Sequence, residues 1–137
     1  MTKSYTDVPP HIANAATEAF ECHGRQHFRA SILLARSVIE ATAKEKGIDS
    51  GPLAVKIKAL AEQGFVRPHI REAADEIRDL GNEMAHGDFA LPVTEEDSKL
   101  VVDLMEEILA EVFQSPAKVS RAQAAAALRK AQGETTA

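Results

Sequence analysis

Residues 25–47 read RQHFRASILLARSVIEATAKEKG, and this stretch decides the fold. Residues suited to a buried face recur in it at steps of four and three, which is the spacing of one side of an α-helix. They are Phe28, Ile32, Ala35, Ile39 and Thr42. Gly47 follows as a terminator. We therefore predict a helix over residues 25–46 that forms the core of a helical bundle.

The rest of the chain contains further helical patterns, each bounded by a glycine or a proline. They predict helices over about residues 9–23, 52–63, 68–86 and 95–114. Thr94 and Asp97 have the spacing of a capping box before the last of these. The sequence shows no alternating strand pattern, no repeat and no Gly-rich phosphate loop. It predicts an all-α fold, an up-and-down bundle of four to five helices.

Composition divides the chain into three segments. Residues 1–8 are predicted to be a flexible N-terminus, and residues 9–116 to be the bundle domain. Ser115-Pro116 is expected to break the chain before a basic, Ala-rich C-terminal helix and tail over residues 117–137. That segment has little to bury. Its excess of Lys and Arg fits either a solvated helix face or a contact surface. Such a surface would meet an acidic partner or the acidic bundle domain of the same chain.

Length and charge exclude several classes of protein. The 137 residues fit one domain, and a net charge of −5 makes broad duplex-DNA binding unfavourable. The single cysteine, Cys22, cannot form an internal disulfide. There is no charged-then-apolar leader and no apolar run near 18 residues. We expect a cytoplasmic protein without membrane contact and without a cofactor.

Polar side chains of catalytic type lie in residues 77–87, IRDLGNEMAHG. On a continuous helix Arg78, Asn82 and His86 follow one another at steps of four and form one polar stripe. The core face of the same helix is Ile77, Leu80 and Met84. The three polar residues are therefore the candidate catalytic residues.

A simpler explanation of these residues stays open. His86 in the last helical turn before Gly87 is a favourable position for a cation against the helix dipole. Arg78 has Asp75 and Asp79 within reach on the same helix, so it can be an ordinary surface ion pair.

Small residues separate the polar stripe from the core face. Ala74, Gly81 and Ala85 lie there on a continuous helix, where they would let another backbone approach closely. Gly81 costs roughly 1 kcal/mol against Ala in a helix, which a close contact would offset. We predict that these three residues form a homodimer interface.

Two further groups of residues are candidate parts of a site. Arg36 and Glu40 are predicted supporting residues, either as a one-turn ion pair or with Glu40 facing Arg78 across the bundle. His23 and His27 have a spacing that can bind zinc, but Gly24 lies between them at a predicted helix end and no further ligand cluster is visible. The sequence therefore predicts no metal site.

Four stretches resemble the helical family called domain of unknown function 4145, over about residues 25–119. They are HFRASILLARSVIEATAKEKGI, LAVKIKAL, IRDLGNEMAHGD and TEEDSKLVVDLMEEILAEVF. The family is grouped with the HEPN (higher eukaryote and prokaryote nucleotide-binding) superfamily, whose members form helical bundles and commonly dimerise. The resemblance implies an HEPN-like bundle. Many HEPN members are metal-independent ribonucleases of toxin–antitoxin, restriction and CRISPR-linked defence systems.

The resemblance also assigns roles to the polar stripe. Catalytic HEPN members carry Arg, then four to six residues, then His, commonly with a polar residue directly after the Arg. Here Asn82 matches the polar residue, His86 matches the His, and Gly81 stands in the Arg position. Arg78 lies one turn earlier, with seven residues between it and His86.

The expected function is an HEPN-like dimeric module that binds a nucleic-acid or protein partner in prokaryotic defence or stress, with little or no catalysis. The alternative is a metal-independent endoribonuclease, in which His86 takes the proton of a ribose 2′-hydroxyl and Arg78 stabilises the phosphorane. A purely structural oligomerisation domain is the third possibility.

Overall fold

A computed structural model describes residues 3–136, without the side chains at positions 83, 135 and 136. No strand occurs within that part of the chain, so the predicted all-α bundle is confirmed. The helices are α1 (Pro10–Gly24), α2 (Phe28–Glu45), α3 (Leu53–Glu62), α4 (Ala74–Ala85), α5 (Glu95–Leu109) and α6 (Ser115–Thr136). A 3₁₀ turn, Pro68–Ala73, precedes α4, and a π-helical turn, Ala110–Gln114, joins α5 to α6.

Helix α2 lies at the centre of the bundle and contacts α1, α3, α4 and α5. Ile32, Ala35, Ile39 and Thr42 are all fully buried, as their spacing predicts. Thr42 is polar, but its hydroxyl donates a hydrogen bond of 2.9 Å to the Val38 carbonyl one turn earlier. The core helix predicted from residues 25–47 is therefore confirmed, with three fewer residues at its start.

Helix α5 begins with the predicted capping box. The Thr94 hydroxyl accepts a hydrogen bond of 3.1 Å from the Asp97 backbone N–H. The Asp97 carboxylate accepts one of 3.1 Å from the Thr94 backbone N–H. Asp therefore serves in place of the more usual Glu or Gln, because both otherwise unpaired backbone donors are satisfied.

The N-terminal segment, for which we predicted a flexible start, packs against the bundle over residues 3–8. Tyr5 and Val8 are buried, and the Tyr5 hydroxyl donates a hydrogen bond of 2.6 Å to Glu106 on α5. Burial, together with the Glu106 carboxylate, raises the pKa of the Tyr5 hydroxyl. Residues 1 and 2 of the predicted segment lie outside the described residues.

The C-terminal helix continues from α5 without the break predicted at Ser115-Pro116. Proline lacks a backbone N–H and therefore cannot donate the usual helical hydrogen bond. The π-helical turn before it changes the hydrogen-bond register, so the helix continues through Pro116 instead of ending. Val119 and Leu128 are exposed, and Arg121 pairs with Asp7 at 2.8 Å. Residue 137 lies outside the described residues.

The length and the apolar character of a helix decide whether it can cross a membrane. Within residues 3–136, none of the helices combines the length and the apolar character needed to cross a bilayer.

Candidate functional site

The helix that carries the candidate catalytic residues is broken in the middle. Leu80 has a non-helical ψ of 108° and Gly81 a φ of 94°, so α4 changes direction between Asp79 and Asn82. Glycine adopts such a left-handed φ without a steric penalty, and this conformation commonly ends a helix. The prediction of one continuous helix over residues 68–86 is therefore wrong.

The break separates Arg78 from Asn82 and His86. A polar stripe at steps of four requires an uninterrupted helix, and Arg78 precedes the break while the other two follow it. Arg78 is exposed and turns to its own neighbours instead: its guanidinium lies 3.3 Å from Asp79 and 3.7 Å from Asp75. The surface ion pairs weighed from the sequence are therefore present.

The close contact at Gly81 lies within one chain. A Cβ placed on Gly81 would lie 3.0 Å from Arg36 Nη1 and 3.0 Å from Ile32 Cγ2, both on α2. Ala74 is fully buried in the core, and Ala85 is the exposed member of the three small residues. Ala74 and Gly81 therefore do not present the surface predicted for a homodimer, while the homodimer itself stays a prediction.

Arg36 is the buried charge nearest to the break. Its side chain is 9% exposed, and Nη1 has no hydrogen-bond partner among the described residues. Burial lowers the pKa of its guanidinium, and the charge of Glu40 opposes this shift. The Glu40 carboxylate lies 3.9 Å from Lys56 Nζ, so its ion pair is with Lys56 instead of Arg78.

The surface beyond the break is formed by Asn82, His86, Phe89 and Leu91, all exposed. We call these four residues the α4-end surface. The Arg29 guanidinium on α2 donates hydrogen bonds to the backbone carbonyls of Leu91, at 3.0 Å, and Phe89, at 3.4 Å. These bonds fix the loop backbone while its apolar side chains stay in solvent, with Phe89 55% and Leu91 62% exposed.

A family model described as a domain of unknown function, DUF4145, matches residues 17–130. The chain belongs to the DUF4145 family. The matched region includes α2, α4, the break at Gly81 and the α4-end surface. No curated protein and no solved structure matches the chain.

His23 and one cluster of His and Glu side chains are the possible metal ligands to consider in the described part of this DUF4145 chain outside the α4-end surface. His23 Nδ1 is hydrogen-bonded to the Ser98 hydroxyl at 2.8 Å, and its ring packs against Phe28. This contact gives His23 a structural role between α1 and α5. His69, Glu107 and Glu111 are brought within 4.8 Å of one another in the described part of the chain.

The cluster of His69, Glu107 and Glu111 is already paired with the cationic side chain of Arg67. The Arg67 guanidinium lies 2.7 Å from Glu107 and 3.3 Å from Glu111, and its backbone N–H donates to Glu111 at 2.6 Å. This pairing lowers the pKa of Glu111 against the effect of its burial. A metal ion there would have to displace Arg67 and lose these bonds.

Sequence reasoning missed Phe89, Leu91 and the position of Arg36 at the break. The loop residues carry no motif, and their exposure follows from the contacts of Arg29. The one signal for the break was Gly81 itself, since a glycine inside a helix is costly and calls for a specific contact.

Proposed function

We propose that this DUF4145 chain is an HEPN-like helical module that forms a homodimer and acts by binding a partner, with little or no catalysis. The setting is prokaryotic defence or stress, as the HEPN resemblance implies. Single-stranded RNA is the first candidate partner and a protein the second. The observation that carries the proposal is the break at Leu80–Gly81, which divides the candidate catalytic residues.

The break argues for binding over cleavage because of what cleavage requires. Metal-independent RNA cleavage needs a base for the 2′-hydroxyl and a cation close to the same phosphate. His86 is exposed and can serve as the base. The Arg position is occupied by Gly81, and Arg78 is paired with Asp75 and Asp79 on the other side of the break.

The α4-end surface has the kinds of side chain that bind single-stranded RNA. Asn82 and His86 supply hydrogen-bonding side chains, and Phe89 supplies an exposed ring on which a base can stack. Stacking suits an acidic protein, because it does not require the broad positive surface on which duplex binding depends. Phe89 and Leu91 are exposed apolar side chains of one loop, and exposed apolar surface is typical of protein-binding sites, which supports the second candidate partner.

One observation favours the ribonuclease alternative. Arg36 Nη1 lies 3.0 Å from the position where a side chain on residue 81 would start. A guanidinium from α2 therefore lies where the arginine of a catalytic HEPN member would begin. Arg36 is only 9% exposed whereas His86 lies on the surface, and catalysis would require the guanidinium and the imidazole to reach one phosphate.

RNA binding is tested by fluorescence anisotropy with a labelled single-stranded RNA of about ten nucleotides. We expect Phe89→Ala to weaken binding by about tenfold, because loss of one stacked base costs about 1–3 kcal/mol. Val55→Ala is the matched control: Val55 is an exposed apolar residue on α3, 50% accessible, and its loss should leave binding unchanged.

Two outcomes would contradict the proposal. Wild-type protein that binds no RNA, or Phe89→Ala protein that binds as tightly as wild type, would remove RNA as the partner of the α4-end surface. The same samples should give the mass of two chains in light scattering. A mass of one chain, 14.8 kDa, would contradict the homodimer.

A further inference from the structure

The guanidinium of Arg36 is a buried cation whose hydrogen-bonding capacity is not used. A guanidinium has five N–H donors, and an unpaired donor in the interior costs free energy. Arg36 is 9% exposed and its Nη1 is unpartnered within the described residues. A side chain that served only packing would be better replaced by an apolar one of the same shape.

The local geometry places this guanidinium close to the surface at the break. Gly81 is buried directly over Nη1, and the next residue, Asn82, is exposed. The guanidinium is therefore covered by the backbone of Gly81 and not by a side chain of α4, and the residue after this glycine is exposed to solvent. A side chain on residue 81 would crowd the guanidinium, because its Cβ would lie 3.0 Å from Nη1.

Glu40, one turn along α2 from Arg36, and Asp79, two residues before Gly81, have other cationic partners. Glu40 lies 3.9 Å from Lys56, and Asp79 lies 3.3 Å from Arg78. Glu40 still acts on Arg36 through its charge, but no described carboxylate accepts a hydrogen bond from Nη1. The hydrogen-bonding capacity of Nη1 is therefore unused within the described residues, and an anion bound at the break would satisfy it.

We propose that Arg36 and the backbone break at Leu80–Gly81 form a binding site for a phosphate-type oxyanion, with Asn82 at its mouth. A planar guanidinium matches the oxygens of phosphate in pairs, and such charge-assisted hydrogen bonds are strong where water is excluded. The phosphate belongs either to a single-stranded nucleic acid or to a free phosphate or nucleotide. The site rests on the proposed function only for the first of these sources.

Thermal unfolding of the purified full chain tests the site, with inorganic phosphate as the probe and sodium chloride at equal ionic strength as the reference. We expect phosphate at tens of millimolar to raise the wild-type melting temperature by several degrees, because a ligand bound only by the folded state stabilises it. Arg36→Met should abolish this rise. Arg71→Met, at an exposed arginine paired with Glu62 at 3.6 Å, should keep it.

The melting temperature without phosphate separates a binding role from a structural one. Met fills a similar volume without a charge, so Arg36→Met should melt at or above the wild-type temperature. A drop of several degrees would assign Arg36 a structural role and overturn the proposal. An equal phosphate-dependent rise in wild type and Arg36→Met would also overturn it.

A conservative variant tests recognition by the guanidinium separately. Arg36→Lys keeps the charge but loses the paired donors, so it should fold and show a smaller phosphate-dependent rise. A rise as large as that of wild type would contradict recognition by the guanidinium. A dinucleotide in place of phosphate separates the two sources: a larger rise indicates nucleic acid, and an equal rise indicates free phosphate.

Failure of this site is distinguishable from failure of the proposed function. An Arg36-dependent phosphate effect in a protein that binds no RNA would leave the oxyanion site in place and remove RNA as its source. RNA binding that depends on Phe89 but not on Arg36 would support the proposed function and would show that Arg36 does not bind the RNA phosphate.

Discussion

Replacing Gly81 with leucine should lower the free energy of unfolding by about 2 to 5 kcal/mol. Two costs combine, since a left-handed backbone costs a side-chain-bearing residue roughly 1–2 kcal/mol and overpacking a filled interior costs roughly 1–3 kcal/mol. The backbone of Gly81 has a φ of 94°, and its missing side chain would point at Ile32 and Arg36 at 3.0 Å. Urea unfolding followed by circular dichroism measures the change.

Gly87→Leu is the matched control for this substitution. Gly87 has a similar φ of 85°, but no heavy atom of the described chain beyond its immediate neighbours lies within 4 Å of its Cβ position. Only the backbone cost should remain, about 1–2 kcal/mol. Equal losses from Gly81→Leu and Gly87→Leu would mean that Gly81 does not face α2 in solution.

Ile39→Ala should cost about 2 to 5 kcal/mol, the usual range for a large aliphatic side chain removed from a core. Ile39 is fully buried on α2, the helix that contacts four others, so its cavity is enclosed from several sides. A domain of this size is stable by about 5–15 kcal/mol, so the variant should lose a large part of its stability.

Val55→Ala provides the comparison for Ile39→Ala in the same unfolding experiment. Val55 is half exposed on α3, and a surface substitution of this kind changes stability by about 0.5 kcal/mol or less. If Ile39→Ala cost no more than Val55→Ala, α2 would not be the central helix of the bundle.

The sequence predicted the helices well because their signals are local. The buried positions of α2 follow from residue spacing alone, and glycines follow the ends of α2 and α3 at Gly47 and Gly64. The capping box of α5 depends on two side chains three residues apart. Each of these features is decided by residues within one or two turns of the chain.

The break in α4 could not be predicted in the same way. Ile77 and Met84 are both buried, so the apolar spacing persists across Gly81 although the helix does not. The break depends on contacts with Ile32 and Arg36, which lie more than forty residues earlier in the chain. These contacts between α2 and α4 override the local helical pattern, and they also bury Arg36.

The packing of residues 3–8 and the uninterrupted helix at Pro116 were missed for a related reason. Residues 3–8 have no periodic pattern, yet the Tyr5 hydroxyl donates a hydrogen bond to Glu106 on α5, about a hundred residues away in sequence. Pro116 is a strong local signal for a helix end, but the π-helical turn before it lets α6 continue. Neither the distant partner nor the altered register is visible in the residues themselves.

Binding without cleavage is tested by following end-labelled single-stranded RNA during prolonged incubation with saturating protein in EDTA. We expect RNA that is bound and recovered at full length, because no cation from α4 lies with His86 on the same side of the break. Fragments ending in a 2′,3′-cyclic phosphate would contradict it if their yield fell about a hundredfold or more in His86→Ala, the usual contribution of a general base.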